Sequence, residues 1–264
     1  MLMEKYNNHT FVVCAYKESK YLEECIKSLK NQTIESNIIM VTSTPNEHIE
    51  KISKKYNIEL FINNGEKGIG PDWNFGVSCT NTDLVTIAHQ DDVYNDNYLE
   101  EIIKLYEKDN TCSIMFGNYR ELKNGEIIEL TNNLKIKEFC LKGLLKNSNG
   151  KNSKKRTLKY GNAICCPAVT LNTKVVSKKP FKMEMKSNLD WYTWYEFSKL
   201  PNSFMYINKY IMCHRIHEES ETSNLIENNV RLEEDYEMFK KFWPTPIAKF
   251  LMHFYKGAVK TNKV

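Results

Sequence analysis

Hydrophobic and polar positions follow two alternating periods through the first half of the chain. Nearly uninterrupted apolar runs read as buried strands: Phe11-Val12-Val13-Cys14-Ala15, Ile38-Ile39-Met40-Val41, Glu59-Leu60-Phe61-Ile62 and Leu84-Val85-Thr86-Ile87-Ala88. Between them the spacing becomes helical. Tyr21, Leu22, Cys25, Ile26 and Leu29 share one face, Ile49, Ile52 and Tyr56 follow Pro45, and Tyr98, Leu99, Ile102, Ile103 and Tyr106 follow a predicted capping box of Asn97 and Glu100. Repeated strand-then-helix units predict an α/β fold, a mostly parallel central sheet with helices on both faces. Ligands of such sheets gather at the carboxyl ends of the strands.

After Cys112-Ser113-Ile114-Met115-Phe116 the repeat loosens. Asn124-Gly125, between Tyr119 and Ile127-Ile128, reads as a hairpin turn and predicts a small mixed β region. Residues 147–159 are rich in Asn, Ser, Gly and Lys and read as a mobile surface loop, either a solvated linker or a lid that contacts a phosphorylated acceptor. From Arg231 the pattern is helical again, with Tyr236, Phe239, Phe242, Trp243, Ile247, Phe250, Leu251 and Phe254 interleaved with Lys249, Lys256 and Lys260. Such helices either lie at a membrane interface or pack on the domain or on a second copy.

Composition narrows the class. At 264 residues, 41% hydrophobic and 27% charged, the chain suits one large domain with or without a subdomain. A net charge of +4 argues against a dedicated nucleic-acid binder and permits an anionic substrate. Eight cysteines without a CxxC pair point to reduced thiols. The first residues, Met1-Leu2-Met3-Glu4-Lys5, lack a basic stretch followed by an apolar core, and no apolar run reaches the length of a membrane span, so a cytoplasmic protein is expected.

The tetrad His89-Gln90-Asp91-Asp92 closes the fourth strand. Two adjacent carboxylates at a strand's carboxyl end suit a divalent metal with a nucleotide diphosphate; they equally suit a helix N-terminus, whose dipole favours acids. Further chemistry-bearing segments follow in order: Asn63-Asn64-Gly65-Glu66-Lys67-Gly68 through Asp72-Trp73-Asn74, then Gly161-Asn162-Ala163-Ile164-Cys165-Cys166-Pro167, then Asn188-Leu189-Asp190-Trp191-Tyr192, then His214-Arg215-Ile216-His217-Glu218-Glu219-Ser220.

With those segments in that order, the chain resembles the inverting glycosyltransferases of family 2, which have the GT-A fold, over roughly residues 9 to 222. Val12-Val13-Cys14-Ala15-Tyr16-Lys17-Glu18, with Ser28-Leu29 and Gln32-Thr33 behind it, is similar to that family's first strand and helix. Gln90-Asp91-Asp92 is similar to its Asp-x-Asp-type metal motif, and Arg215-Ile216-His217 with Ser220 to its late Arg-x-His motif. The resemblance implies a GT-A domain over residues 1–222, with a nucleotide-binding half near 9–120 and an acceptor-binding half near 121–222, and a helical extension over 223–264.

The implied roles divide the labour of glycosyl transfer. Asp92 would hold Mn²⁺ or Mg²⁺, with His217 completing the metal shell or meeting a phosphate oxygen. Asp91 would support the ribose or a metal-bound water, and Arg215 would offer its planar fork to the diphosphate. Ala15, Tyr16 and Glu18 fall where the nucleotide pocket begins, Tyr16 able to stack on the base, and Asn74 closes the third-strand loop. Asp190 would be the general base for the acceptor hydroxyl; the alternative is a helix cap. Trp191, Trp194 and Tyr195 are core or a sugar platform. One departure concerns the donor: where the family carries an aspartate pair after the second strand, this chain has Thr42-Ser43-Thr44-Pro45, so UDP is a default. The expected partners are a nucleotide-sugar donor and a glycan or lipid-linked glycan acceptor, with peripheral membrane contact through the tail and no nucleic acid. Two other readings stand beside this one, a sugar-phosphate nucleotidyltransferase and a non-catalytic nucleotide- or glycan-binding domain.

Overall fold

The computed structural model of the protein describes residues 5–217 and 230–260. Its first strands and helices follow the sequence pattern: β1 (Lys5–Cys14), α1 (Leu22–Lys30), β2 (Glu35–Thr42), α2 (Glu47–Lys55), β3 (Glu59–Ile62), α3 (Ile69–Ser78) and β4 (Leu84–His89). A two-residue strand β5 (Val93–Tyr94) then precedes α4 (Tyr98–Lys108), β6 (Ile114–Lys123), β7 (Glu126–Ile127), α5 (Asn132–Lys146) and α6 (Lys151–Arg156). The chain continues as β8 (Val169–Asn172), α7 (Thr173–Val176), α8 (Leu189–Phe197) and β9 (Phe204–Ile216), and ends with α9 (Val230–Phe242) and α10 (Thr245–Lys260).

The strands form one sheet in the order β3-β2-β1-β4-β8-β6-β9-β5, with β7 on β6. The pairs β3-β2, β2-β1 and β1-β4 are parallel, as the strand-then-helix repeat requires. β8 then runs antiparallel between β4 and β6, which makes the sheet mixed beyond β4. Alternation along β1 splits the core between the two faces: Val12 packs with α3, α8 and α9, while Phe11 and Val13 pack with α1, α2 and α4.

Local chemistry explains several details. Asn124 and Gly125 both have positive φ, 53° and 85°, the geometry a two-residue hairpin turn demands. The expected capping box at α4 does not form. Glu100 is drawn to Lys104 at 2.7 Å, the Asn97 side chain makes no cap bond, and the Leu99 N–H instead donates to Gln32 Oε1 at 3.0 Å. The helix start is capped by a residue distant in the chain.

Residues 147–159 differ from the mobile loop expected of them. They contain α6, and Lys154 is only 1% exposed because its ammonium donates to the carbonyls of Leu200 and Asn202. The C-terminal helices also pack on the domain. Met238, Phe239, Ala248 and Met252 are buried in the same core as Trp191 and Trp194, so the aromatic stripe of α8 is core. The expected boundary between donor and acceptor halves, 120/121, falls within β6, and the 222/223 boundary lies outside the described residues.

Helix α3 lies tight on the sheet at Gly76, where an added Cβ would sit 2.5 Å from Val12 Cγ1 and 3.2 Å from Val41 Cγ2. Gly143 in α5 has its nearest such contact at 3.8 Å. Gly76→Ala is therefore expected to lower unfolding free energy by about 1–3 kcal/mol, and Gly143→Ala to raise it by about 0.5–1 kcal/mol. Urea midpoints of the two variants against the parent protein measure both signs.

Candidate active site

The site depends on a short antiparallel pairing. Val93 of β5 pairs with Cys213 of β9, so the residues preceding 93 run alongside those following 213. Asp92 is fully buried there: its Oδ1 lies 2.9 Å from His214 Nδ1 and accepts the Arg215 backbone N–H, also at 2.9 Å. His217 Nε2 stands 2.8 Å from Asp91 Oδ2. The Arg215 side chain turns inward, donating from Nε to the Asp91 carbonyl and from Nη2 to Glu24, with its guanidinium 4.3 Å over the Tyr21 ring. Residues 218–220, the end of that late motif, lie outside the described residues.

At this end of the sheet Asp92 Oδ2 and His89 Nε2 are buried without a hydrogen-bond partner among the described residues. The other His89 nitrogen is 3.9 Å from Asp92 Oδ2, and the imidazole stacks on Trp73 at 5.1 Å and 24°. Orphaned polar atoms are costly in a native interior, and an ion is one way to satisfy them. His89, Asp91 and Asp92 each offer a ligand atom within 4.8 Å of the others. Carboxylate oxygens with an imidazole suit Mn²⁺ or Mg²⁺, so the donor set fits such an ion. His89 belongs to this group, a position that sequence reasoning quoted without assigning a role, whereas His217 serves Asp91 as a hydrogen-bond partner.

Charge and burial tune the acids. Burial alone would raise Asp91, but the His217 hydrogen bond and the charges of His89, His214 and His217 hold it below the ordinary aspartate value. Burial would likewise depress His214, and Asp92 overrides it, pushing the imidazole up to about 9.

Asp190 stands in the first turn of α8. Its Oδ1 accepts the Trp191 N–H and its Oδ2 accepts from Asn162 Nδ2, both at 2.7 Å. Burial raises its pKa; the Trp191 N–H and the charges of Arg231, His89 and Lys137 pull it back only in part. Asp190 and Asp92 act on the same neighbours, since burial first and then both carboxylates raise the thiols of Cys165 and Cys166. The segment entering α8 is gripped from α9. Glu234 accepts the N–H groups of Lys186, Ser187 and Asn188 at 2.8, 2.8 and 2.9 Å, and Asn188 Nδ2 donates to Asp235 Oδ1 at 2.8 Å. This second layer escaped the sequence reading because a helix 44 residues beyond Asp190 carries no local sign of it.

On the donor side, Tyr16 and Gln90 bond reciprocally, Tyr16 N–H to Gln90 Oε1 at 2.9 Å and Gln90 Nε2 to the Tyr16 carbonyl at 3.0 Å, leaving the Tyr16 ring 44% exposed. Ala15 is buried and its N–H extends the sheet to the Val41 carbonyl, while Glu18 is exposed. Thr42 is buried, its hydroxyl accepting the Thr44 N–H. Asn74 grips Phe181, donating to its carbonyl and accepting its N–H, both at 2.9 Å. A carboxylate does reach the ends of β2 and β3: Asp72 accepts from Ser43 Oγ and Asn63 Nδ2, each at 2.7 Å.

The fold agrees with the comparisons. The model of the family described as glycosyl transferase family 2 matches residues 10–180, and the chain belongs to that family. An uncharacterized glycosyltransferase of Haemophilus influenzae is 31% identical over 117 residues, which cover 42% of this chain and 36% of that protein. The chain thus matches little more than a third of that relative's length. Among solved structures, residues 1–349 of S. aureus TarS superpose with a TM-score of 0.62 at 14% identity, covering 92% of this chain and 69% of that one. The mannosyltransferase PcManGT of Pyrobaculum calidifontis, solved with GDP-Man and Mn²⁺, gives 0.61 at 11% identity, covering 92% and 68%. At these identities the likeness is one of fold, a GT-A type sheet.

Asp235 provides a test of the α9 grip. Burial pushes its pKa from 3.8 up to about 6, so between those values the native state keeps a proton that the unfolded chain has released. Stability therefore falls as pH rises through that window. Asp235→Asn should remove this slope and raise stability near neutral pH by about 2 kcal/mol, read from urea unfolding on either side of the window.

Proposed function

We propose that the protein is a metal-dependent inverting glycosyltransferase. It moves a sugar from a nucleotide-diphosphate donor, a UDP-sugar by default, to a hydroxyl of a glycan or lipid-linked glycan. The observation that carries this reading is two acids on one group of neighbours: the buried Asp92, with a bare oxygen beside His89 and Asp91, and the half-buried Asp190, with a raised pKa. Two solved relatives by fold support the donor class. TarS has been solved with UDP-GlcNAc, and PcManGT with GDP-Man and Mn²⁺.

His89, Asp91 and Asp92 would hold the ion, which when bound supplies positive charge against the donor's diphosphate. The exposed ring of Tyr16 is available for stacking on the base, and Asp72 offers a carboxylate to a base N–H in place of the aspartate missing after the second strand. Asp190 takes the acceptor's proton; its raised pKa strengthens it as a base, and Asn162 with the Trp191 N–H fixes the plane of its carboxylate. With base and leaving group on opposite faces of the sugar, a single displacement inverts the anomeric centre. Residues 9–120 serve mainly the donor and 121–222 the acceptor, with the C-terminal helices bracing α8. Assembly of bacterial surface polysaccharide on the cytoplasmic side of the membrane is the role this chemistry fits.

With Mn²⁺, UDP at about a hundred times its Kd should stabilise the protein by roughly 2.7 kcal/mol. The absence of a thermal shift across UDP, GDP, CDP and TDP would overturn the donor site. Asp92→Ala should abolish the metal-dependent part of that stabilisation; unchanged affinity would return Asp92 to a purely structural role. Asp190→Asn should leave nucleotide binding intact and slow transfer by about 10²–10⁴-fold, whereas undiminished transfer would remove it as the base. A domain that binds without turnover would show the first effect and no transfer in either form.

A further inference from the structure

The charge of the chain is unevenly placed. Residues 132–160 hold eight lysines and one arginine against a single acid, Glu138, a net of +8 in a chain of +4, so the remainder carries −4. Two of these cations are used internally, Lys137 toward the Tyr119 hydroxyl and Lys154 toward main-chain carbonyls. Lys135, Lys142, Lys146 and Lys151 are exposed, and none is ion-paired among the described residues. On the same outer surface of α5 stand Ile136 and Phe139, 61% and 60% exposed. Arg156 of α6 lies 4.7 Å over the Phe139 ring. The opposite face of α5 is buried through Leu134, Cys140, Leu141 and Leu144, and its Lys137 senses the charge of Asp190.

We infer that the α5–α6 face docks on an anionic lipid bilayer. Apolar side chains flanked by lysines are matched to the headgroup boundary, where the rings and methyls enter the acyl region and the ammonium groups meet phosphates. A nucleic-acid backbone would reward the lysines and leave Ile136 and Phe139 without a partner. A symmetric contact with a second copy would set like charges against each other. In the C-terminal helices Phe239 and Met252 are buried in the core while Ile247 and Phe250 are 43% and 63% exposed; the α5–α6 face differs in setting its apolar side chains within the stretch that carries the net charge of +8. Among the described residues no helix is long and apolar enough to cross a membrane, so the contact is peripheral. The inference gives the acceptor a class, a sugar carried on a membrane lipid, and only that last step rests on the transferase reading.

Sedimentation with vesicles tests it without any turnover. The protein should pellet with vesicles of phosphatidylglycerol and phosphatidylcholine in equal parts, not with phosphatidylcholine alone, and should be released as salt rises from about 0.1 M toward 1 M. Replacing Lys135, Lys142 and Lys146 by Gln together should weaken partitioning by about a hundredfold, and Ile136→Ser with Phe139→Ser by at least about tenfold. All five positions are exposed, so the thermal shift with UDP and Mn²⁺ should match the parent protein in both variants. Failure to pellet, equal pelleting on phosphatidylcholine alone, or wild-type binding by the serine variant would each overturn the inference. So would duplex RNA binding that matches vesicle binding and ignores the serine changes, or a dimer that those changes dissolve.

Discussion

A buried carboxylate with one satisfied oxygen and one bare one is the constraint around which this protein is arranged. Asp92 has no exposure, and an uncompensated charge there would cost several kcal/mol. It is compensated from the far end of the fold, by His214 and the Arg215 N–H of β9. The same contact raises His214 to about 9, so in the metal-free protein this pair's stabilisation is complete below the ordinary value of 6.5 and is lost as pH rises through 9. The second oxygen has no hydrogen-bond partner among the described residues, and His89 and Asp91 each bring a ligand atom within 4.8 Å.

That arrangement requires β9 to be where it is. A strand of 13 residues, running parallel to β6, carries the late motif back to the end of β4, and the two-residue β5 fixes its register. Parallel strands β1 and β4 then place Tyr16 and Gln90 side by side, so that the loops leaving the two strands share one hydrogen-bonded edge. The fold family and the site are thus two descriptions of one sheet edge.

The other half of the site is held by helices. Asp190 is fixed by Asn162 and by its own helix start, and that start is tied to α9 through Glu234 and Asp235. The C-terminal helices therefore pack into the same core as α8 and hold the segment that enters it. Part of their apolar surface is thereby buried in the core, while α5 keeps Ile136 and Phe139 exposed beside lysines.

Much of this was legible in the chain. Four strands, the Asn124-Gly125 turn and the acidic pair at a strand end are local signals, because period, turn conformation and strand termination are set by neighbouring residues; β3, read as buried, is instead a half-exposed edge strand, since its place in the sheet is not a local property. The order of short motifs carried the family. Burial and long-range partners were not legible. Residues 147–159 look like a solvated loop because Lys154's acceptors, Leu200 and Asn202, are more than 45 residues away, and Gln32 caps α4 across 67. The role of His89, the inward turn of Arg215, the carboxylate Asp72 and the grip of α9 all arise from contacts between distant segments. The sequence determined the elements and their chemistry; which polar groups meet in the dry interior was decided only by tertiary packing, because that depends on which surfaces lose their water together.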